Sequence, residues 1–253
     1  MNDVAIIGDT GFIGSHLKKK LRNNFNYNSK DINLFDPKIS ENLNPKIRKV
    51  VFLAGDPRMY LYENRPEECF RNNHELIKNI IKMDVEHFIF MSSVCVYSYP
   101  SKFSIDKSLG WNNISKFYGI SKLLAEYEIK RFVKNFTIIR LSTPFGNNMK
   151  KGPLFDIIKK NQSFVHQDSE YSFIHIDDVT NAIKHIIQNK IFGYYNLTAN
   201  ESFSIKSIIT SKTVEFLSDK KIFFDSDNKE LVDTGWQPKI SVHEWYQGVV
   251  DIK

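Results

Sequence analysis

The sequence holds two cysteines in 253 residues, Cys69 and Cys95, too few for a disulfide framework or a zinc cluster. No apolar run approaches the roughly 18 residues that a membrane span requires, and the mean hydropathy is −0.35. Linkers rich in Pro, Gly or Ser, internal repeats and low-complexity tracts are all missing. Met1-Asn2-Asp3-Val4 lacks a charged and then apolar leader, so the expected compartment is the cytoplasm. Seven arginines make a poor inventory for reading bases. The net charge of +6 comes largely from lysines scattered at 18–20, 150–151, 159–160 and 220–221, which reads as a solvated surface and not a nucleic-acid face. What is present is ordinary globular composition, 42% hydrophobic and 25% charged. The length suits one generous domain, or a domain with a smaller lobe.

Apolar runs alternate with helical spacings. Val4–Ile7, Ile32–Phe35, Lys49–Gly55, His87–Met91 and Thr137–Leu141 read as strands. Phe12–Leu21, Pro66–Met83 and Lys116–Lys134 read as helices, the second opening on a first-turn proline. That alternation predicts an α/β fold, a doubly wound parallel sheet covered on both faces. After Gly146 the rhythm loosens: Pro153–Lys160, Asp177–Gln188 and Val242–Val250 read as helices, Ser172–Ile176 as extended. The expected division is a dinucleotide-binding domain over 1–146 and a small substrate lobe over 147–253, interleaved with the last elements of the sheet.

Gly8-Asp9-Thr10-Gly11-Phe12-Ile13-Gly14 lies between the first strand and the first helix. Gly8 suits the tight turn, Gly11 the close approach of backbone to a pyrophosphate, and Gly14 tight helix–strand packing. Free N–H groups at the helix start then face the phosphates. Asp36, placed at the end of the second expected strand, suits the ribose hydroxyl contact. With Asp9 it favours NAD over NADP, whose 2′-phosphate a carboxylate repels. A turn role for Asp36 before Pro37 is the alternative.

Tyr118 and Lys122 are four apart and share a helix face. A phenol is a poor base at neutral pH, but a nearby ammonium and a positively charged nicotinamide would stabilise its phenolate. Ser92-Ser93 closes a strand upstream, and strand carboxyl ends line the ligand crevice of such sheets. Ser93 is thereby positioned to hold a reacting oxygen while Tyr118 moves its proton.

With these pieces in place the chain resembles the extended short-chain dehydrogenase/reductase superfamily, in its NAD-dependent epimerase/dehydratase branch acting on nucleotide sugars. The resemblance rests on Gly8 to Gly14, Leu53-Ala54-Gly55, Ser92 to Tyr97, Tyr118 to Lys122, Arg140 to Gly146, Phe173 to Val179 and Tyr195-Asn196-Leu197. It implies a Rossmann sheet and a catalytic trio of Ser93, Tyr118 and Lys122. It further implies cofactor contacts from Gly8, Thr10, Gly11, Phe12, Ile13, Gly14, Asp36, Leu53, Ala54, Gly55, Ser92, Tyr118, Lys122 and Pro144. An active-site asparagine falls on Asn72 or Asn73. Substrate contacts fall on Ser93, Cys95, Thr143 and Tyr171, and no metal is expected. The reaction would be oxidoreduction at a sugar carbon, as a 4-epimerase or a 4-keto-sugar reductase, with a homodimer through the helix of Tyr118 and Lys122. A non-catalytic NAD-binding regulator or scaffold is the alternative from another class.

Four departures from the family stand out. Only residues 37 to 48 separate Asp36 from the strand at Lys49, where a helix and a strand are usual. Val94-Cys95 replaces the Asp-Glu pair of 4,6-dehydratases, which argues against water elimination. Tyr171-Ser172 replaces an Arg-Asp whose arginine grips the diphosphate, leaving Lys150, Lys151 or Lys159 to substitute unless they are plain surface lysines. Cys95 matches a cysteine active in carbon epimerisation, but its histidine partner corresponds to Asn148, so Cys95 reads as a small buried residue. His175 and Asp177 resemble a metal pair, yet the family match makes them a strand-to-helix element.

Overall fold

Val4-Ala5-Ile6-Ile7 is buried at every position, the mark of a strand covered on both faces. The computed structural model describes residues 2–22, 24–59, 62–98, 116–209 and 213–250. The chain runs through β1 (Val4–Ile7), α1 (Phe12–Leu21), β2 (Phe25–Tyr27), β3 (Lys49–Phe52), α2 (Pro66–Asn73) and β4 (His87–Ser93). Next come α3 (Lys116–Phe132), β5 (Phe136–Leu141), β6 (Thr143–Phe145), α4 (Pro153–Lys160), β7 (Gln162–Ser163), β8 (Glu170–Tyr171), β9 (Phe173–His175), α5 (Ile176–Asn189) and β10 (Gly193–Leu197). It closes with β11 (Phe203–Ser204), α6 (Ile205–Ile208), β12 (Glu215–Phe216), β13 (Phe223–Phe224), α7 (Lys229–Val232) and α8 (Val242–Val250).

Six strands form one sheet in the order β2-β1-β3-β4-β5-β10, and every neighbouring pair is parallel. Alternate residues divide between its faces. Ile6, Val51, Ile89 and Ile139 meet Leu17 of α1 and Ile183 of α5. Ile7, Phe52, Phe88, Phe90 and Ile138 meet Ala125 and Ile129 of α3 on the other face. Each fully buried phenylalanine there contributes about 1.5–3 kcal/mol. A third cluster joins Leu154 and Ile157 of α4, Phe173, Phe224 and Tyr246 to Val94–Tyr97 and Tyr118. The later part of the chain therefore packs directly on the segment after β4. The strand order reverses between β1 and β3, and the carboxyl ends flanking that point form the ligand crevice of open α/β sheets.

Two expected elements differ. The second strand is Phe25–Tyr27, paired to β1 through Ala5↔Phe25 and Ile7↔Tyr27, and not Ile32–Phe35. Residues 28–38 are taken by side-chain turns, with Asn28 accepting from Lys30 N, Asn33 from Phe35 N and Asp36 from Lys38 N. Such local bonds compete with a strand ladder and win here. One 3₁₀ turn, Ile39–Asn42, is the whole crossover to β3. Among the described residues no strand lies beyond β2, so the shortened unit leaves β2 as the sheet edge. The helix expected over Pro66–Met83 ends at Asn73 and continues as 3₁₀ turns at Glu75–Ile77 and Ile80–Lys82. Asn72-Asn73-His74 are weak helix formers, and the Asn73 amide donates to the Cys69 carbonyl within the last turn.

Candidate active site

The loop from Gly8 to Gly14 joins β1 to α1 at the crevice. Gly8 has φ +96°, and a Cβ at Gly14 would overlap the Gly8 carbonyl oxygen. Space remains only at Gly11, where the nearest atom to a Cβ is 3.4 Å away. Gly11 caps α1 without any side-chain bond, and the first turn of the helix carries no acid. Uncapped N–H groups beside an open glycine fit a pyrophosphate.

Ser93 ends β4 and its hydroxyl accepts from Cys95 N at 3.2 Å, capping the short turn that follows. Tyr118 and Lys122 come from the first half of α3, both buried. The Lys122 ammonium donates to the Met91 carbonyl at 3.1 Å and lies 6.0 Å from the centre of the Tyr118 ring. Burial pushes the Lys122 pKa down to about 8, against the pull of Glu126. Burial also raises the Tyr118 phenol above its ordinary value, with Cys95 adding to the rise and a hydrogen bond with Ser93 opposing it. The sequence reading anticipates a lowered phenol. In the fold burial, with Cys95, raises it instead.

Gly55 follows β3 and faces the same point. A Cβ there would lie 2.9 Å from Asn73 Oδ1 and 3.4 Å from Lys122 Nζ. Asn73 is buried, accepts from Asp56 N at 3.0 Å and donates to Asp56 O at 3.0 Å. The structure thus brings Asn73 beside Lys122, and Asn72 is the half-buried neighbour. Asp56 in turn grips Arg58, whose Nε donates at 2.9 Å to each carboxylate oxygen. Leu53 and Ala54, ahead of Gly55, are half-buried.

Behind the trio lies a buried polar network. Ser92 donates to Glu126 Oε1, and Arg140 donates to Glu126 at 3.2 and 2.8 Å. Arg140 also donates to the Tyr97 hydroxyl at 3.0 Å, and the Tyr97 hydroxyl donates to Asn196 Oδ1 at 2.7 Å.

Other expected site residues fall into place differently. Asp36 does not close β2. It sits in a turn beyond the strand, accepting from Lys38 N and Asn42 Nδ2, and so is not at the strand end where the sequence predicted it. Cys95 is buried, with Met59 Sδ 3.6 Å from its thiol, and burial pushes its pKa up to about 11. Tyr171 enters the apolar cluster shared with Tyr118 and Cys95, its ring 5.4 Å from that of Phe173. Thr143 and Pro144 line a narrow slot with Met149, Lys151 and Phe173. Thr10, Phe12 and Ile13 stay with the glycine loop, Phe12 and Ile13 half-buried against the sheet. His175 accepts from Asp177 N at 3.2 Å and caps α5. Among the described residues no group of three potential ligands could hold a metal.

Sequence reasoning did not find Glu126 or the Asp56–Arg58 clasp. Glu126 had a signal, being four residues past Lys122 on the same helical face. The clasp had none, since it arises from a turn.

A parallel sheet reversing at β1 and β3, a glycine loop built for a pyrophosphate and a serine–tyrosine–lysine cluster define a dinucleotide-binding α/β protein of the Rossmann type. The sequence profile of the NAD dependent epimerase/dehydratase family matches residues 4–197. The chain belongs to that family. A Methanocaldococcus jannaschii protein provisionally named a UDP-glucose 4-epimerase is 25% identical, over 98% of this chain and 97% of that one. Among solved structures, MoeE5 in complex with UDP-glucose and NAD superposes with a TM-score of 0.85 at 19% identity, covering 98% of this chain and 97% of that one. The dTDP-4-dehydrorhamnose reductase of Bacillus anthracis, in complex with NADP, gives 0.82 at 18% identity, covering 100% of each chain. At these identities the structural matches speak for the fold. No helix among the described residues is long and apolar enough to cross a membrane.

Proposed function

We propose that this chain binds NAD and interconverts nucleotide-activated sugars at a sugar carbon, as a 4-epimerase. The observation that carries the reading is the meeting of Ser93, Tyr118 and Lys122 at one point of the crevice. The full-length likeness to a protein named for 4-epimerisation supports it. A bound dinucleotide would accept a hydride from the sugar carbon and return it. Tyr118 takes the proton of the sugar hydroxyl and gives it back, Ser93 holds that oxygen, and Lys122 holds the ribose and favours the phenolate by its charge. Residues 147–253 supply the substrate side, with Thr143, Cys95 and Tyr171 beneath it. Val94 and Cys95 directly follow Ser93 and bring no carboxylate, so water elimination is not part of the reaction. Helix α3 exposes Leu124 at 36% and Tyr127 at 64%, and we place a homodimer contact there.

Mass spectrometry of small molecules retained through purification tests the reading. Retained NAD with a nucleotide sugar is expected. A protein that retains nothing but oxidises added NADH with a 4-keto sugar is a reductase, the second reading within the family. If Tyr118→Phe leaves turnover of every accepted nucleotide sugar unchanged, the catalytic assignment is wrong.

A further inference from the structure

The expected ribose acid is missing from its place. In dinucleotide folds that acid stands about 20 residues past the first glycine, where the second strand ends. Counting from Gly8 and from the end of β2 leads to the same residue here, and it is Asn28, which carries no charge. The glycine loop is stitched to this spot, since the Tyr27 carbonyl accepts from Gly8 N at 2.8 Å and from Asp9 N at 3.3 Å.

A carboxylate reaches the corner from the other side. Asp9 is 3% exposed, and its two oxygens are both engaged. Oδ1 accepts from the Asn28 amide at 3.2 Å, and Oδ2 from Lys18 Nζ at 2.7 Å. Lys18 is half exposed and reaches back along α1 to make this bond. The remaining charges nearby are solvent-side: Asp31, which accepts from Asn28 N at 2.9 Å, and Lys30. A buried charge is screened less than an exposed one, so Asp9 is the less screened member of its pair with Lys18, the cation it holds in check.

We propose that Asp9, through its charge and its grip on Lys18, is the residue that sets this chain's choice of NAD over NADP, with Asn28 as the neutral contact at the ribose edge. The inference rests on the dinucleotide reading above. It gives a chain whose Asp36 lies beyond the end of β2 a means of disfavouring a 2′-phosphate. With the charge of Asp9 removed, Lys18 is released toward the position such a phosphate occupies.

Titration calorimetry with NAD⁺ and NADP⁺ separately tests it, using the whole chain. The unaltered protein is expected to bind NAD⁺ the more tightly. Asp9→Asn keeps the oxygen that Asn28 reaches, and should raise the ratio of NADP⁺ to NAD⁺ affinity about tenfold, the effect of one nearby charge at roughly 1.4 kcal/mol. Adding Lys18→Met to Asp9→Asn should abolish that gain. Lys18→Met alone, available if Asp9→Asn does not fold, should weaken NADP⁺ further and spare NAD⁺. An unchanged NADP⁺ to NAD⁺ ratio in these variants, or a larger shift from Asp31→Asn, overturns the inference. Failure of the unaltered protein to bind either dinucleotide overturns the reading beneath it instead.

Discussion

Glu126 and Arg140 form a two-pronged ion pair, 2.8 and 3.2 Å long, with side chains 3% and 4% exposed. It ties α3 to β5 one turn beyond Lys122, and Ser92 of β4 bonds the same carboxylate. A buried pair of this kind gains little over apolar residues of equal volume, but breaking it strands a charge. Glu126→Ala should therefore lower unfolding free energy by about 3–5 kcal/mol. Glu126→Leu combined with Arg140→Met should recover most of that loss. Urea titrations of the single and double variants measure both.

Burial disfavours the charged form of Lys122 and pushes its pKa down to about 8. If its ammonium holds the ribose, dinucleotide affinity is full below that pH and falls as pH rises through it, approaching tenfold per unit. Binding of NAD⁺ followed by calorimetry from pH 6.5 to 9.5 checks this, with Lys122→Met giving a weak and flat profile. The stability effect has the opposite sense. The unfolded lysine holds its proton up to its ordinary value, so this one group makes the fold gain stability with rising pH above about 8.

How far the sequence foretold this arrangement depended on whether the decisive bonds were local. Val4–Ile7 and the Gly8–Gly14 loop were legible because an unbroken apolar run followed by spaced glycines leaves few alternatives. Tyr118 and Lys122 were legible as a helical pair, and α4 and α8 fall on their expected bounds. The second strand was not legible because Phe25-Asn26-Tyr27 carries too little apolar pattern to announce an edge strand, while Ile32–Phe35 carries more but is claimed by asparagine and aspartate turns. Which of Asn72 and Asn73 turns toward Lys122 depends on the rotational phase of α2, which weak helix formers do not fix. Arg140 meets Glu126 through the pairing Ser92↔Arg140 between β4 and β5, a register visible only once strands are aligned.

His87 is buried on β4, with Nε2 2.7 Å from Thr137 Oγ1 and no hydrogen-bond partner for Nδ1 among the described residues. Burial, with a smaller push from Lys49, lowers its pKa from 6.5 to about 4. The folded protein keeps this ring neutral where the unfolded chain protonates it. Its contribution is present above pH 6.5 and is lost as pH falls toward 4, at most about 3 kcal/mol for a shift of this size. Subtracting the stability profile of His87→Gln from that of the unaltered protein should leave a slope confined to this interval. A flat difference would mean that the ring already titrates normally in the fold.

Lys151 feels the charges of Asp56 and Arg58 and lines the slot of Thr143, Pro144 and Phe173. Partial desolvation holds its ammonium below the ordinary lysine value even though Asp56 pulls the other way. The three lysines open to replace the missing diphosphate arginine are all exposed, and Lys150 and Lys159 do not line this slot. A lysine acts on a diphosphate as a point charge, without the bidentate fork of arginine. Lys151→Ala should then raise KM for a nucleotide sugar about tenfold, a loss of roughly 1.4 kcal/mol of uniform binding, while kcat stays within about threefold. Lys159→Ala should leave both constants unchanged. Steady-state kinetics of the two variants decide the matter: equal effects would make Lys151 one more solvated surface charge, whereas a KM effect confined to Lys151 assigns it the anion.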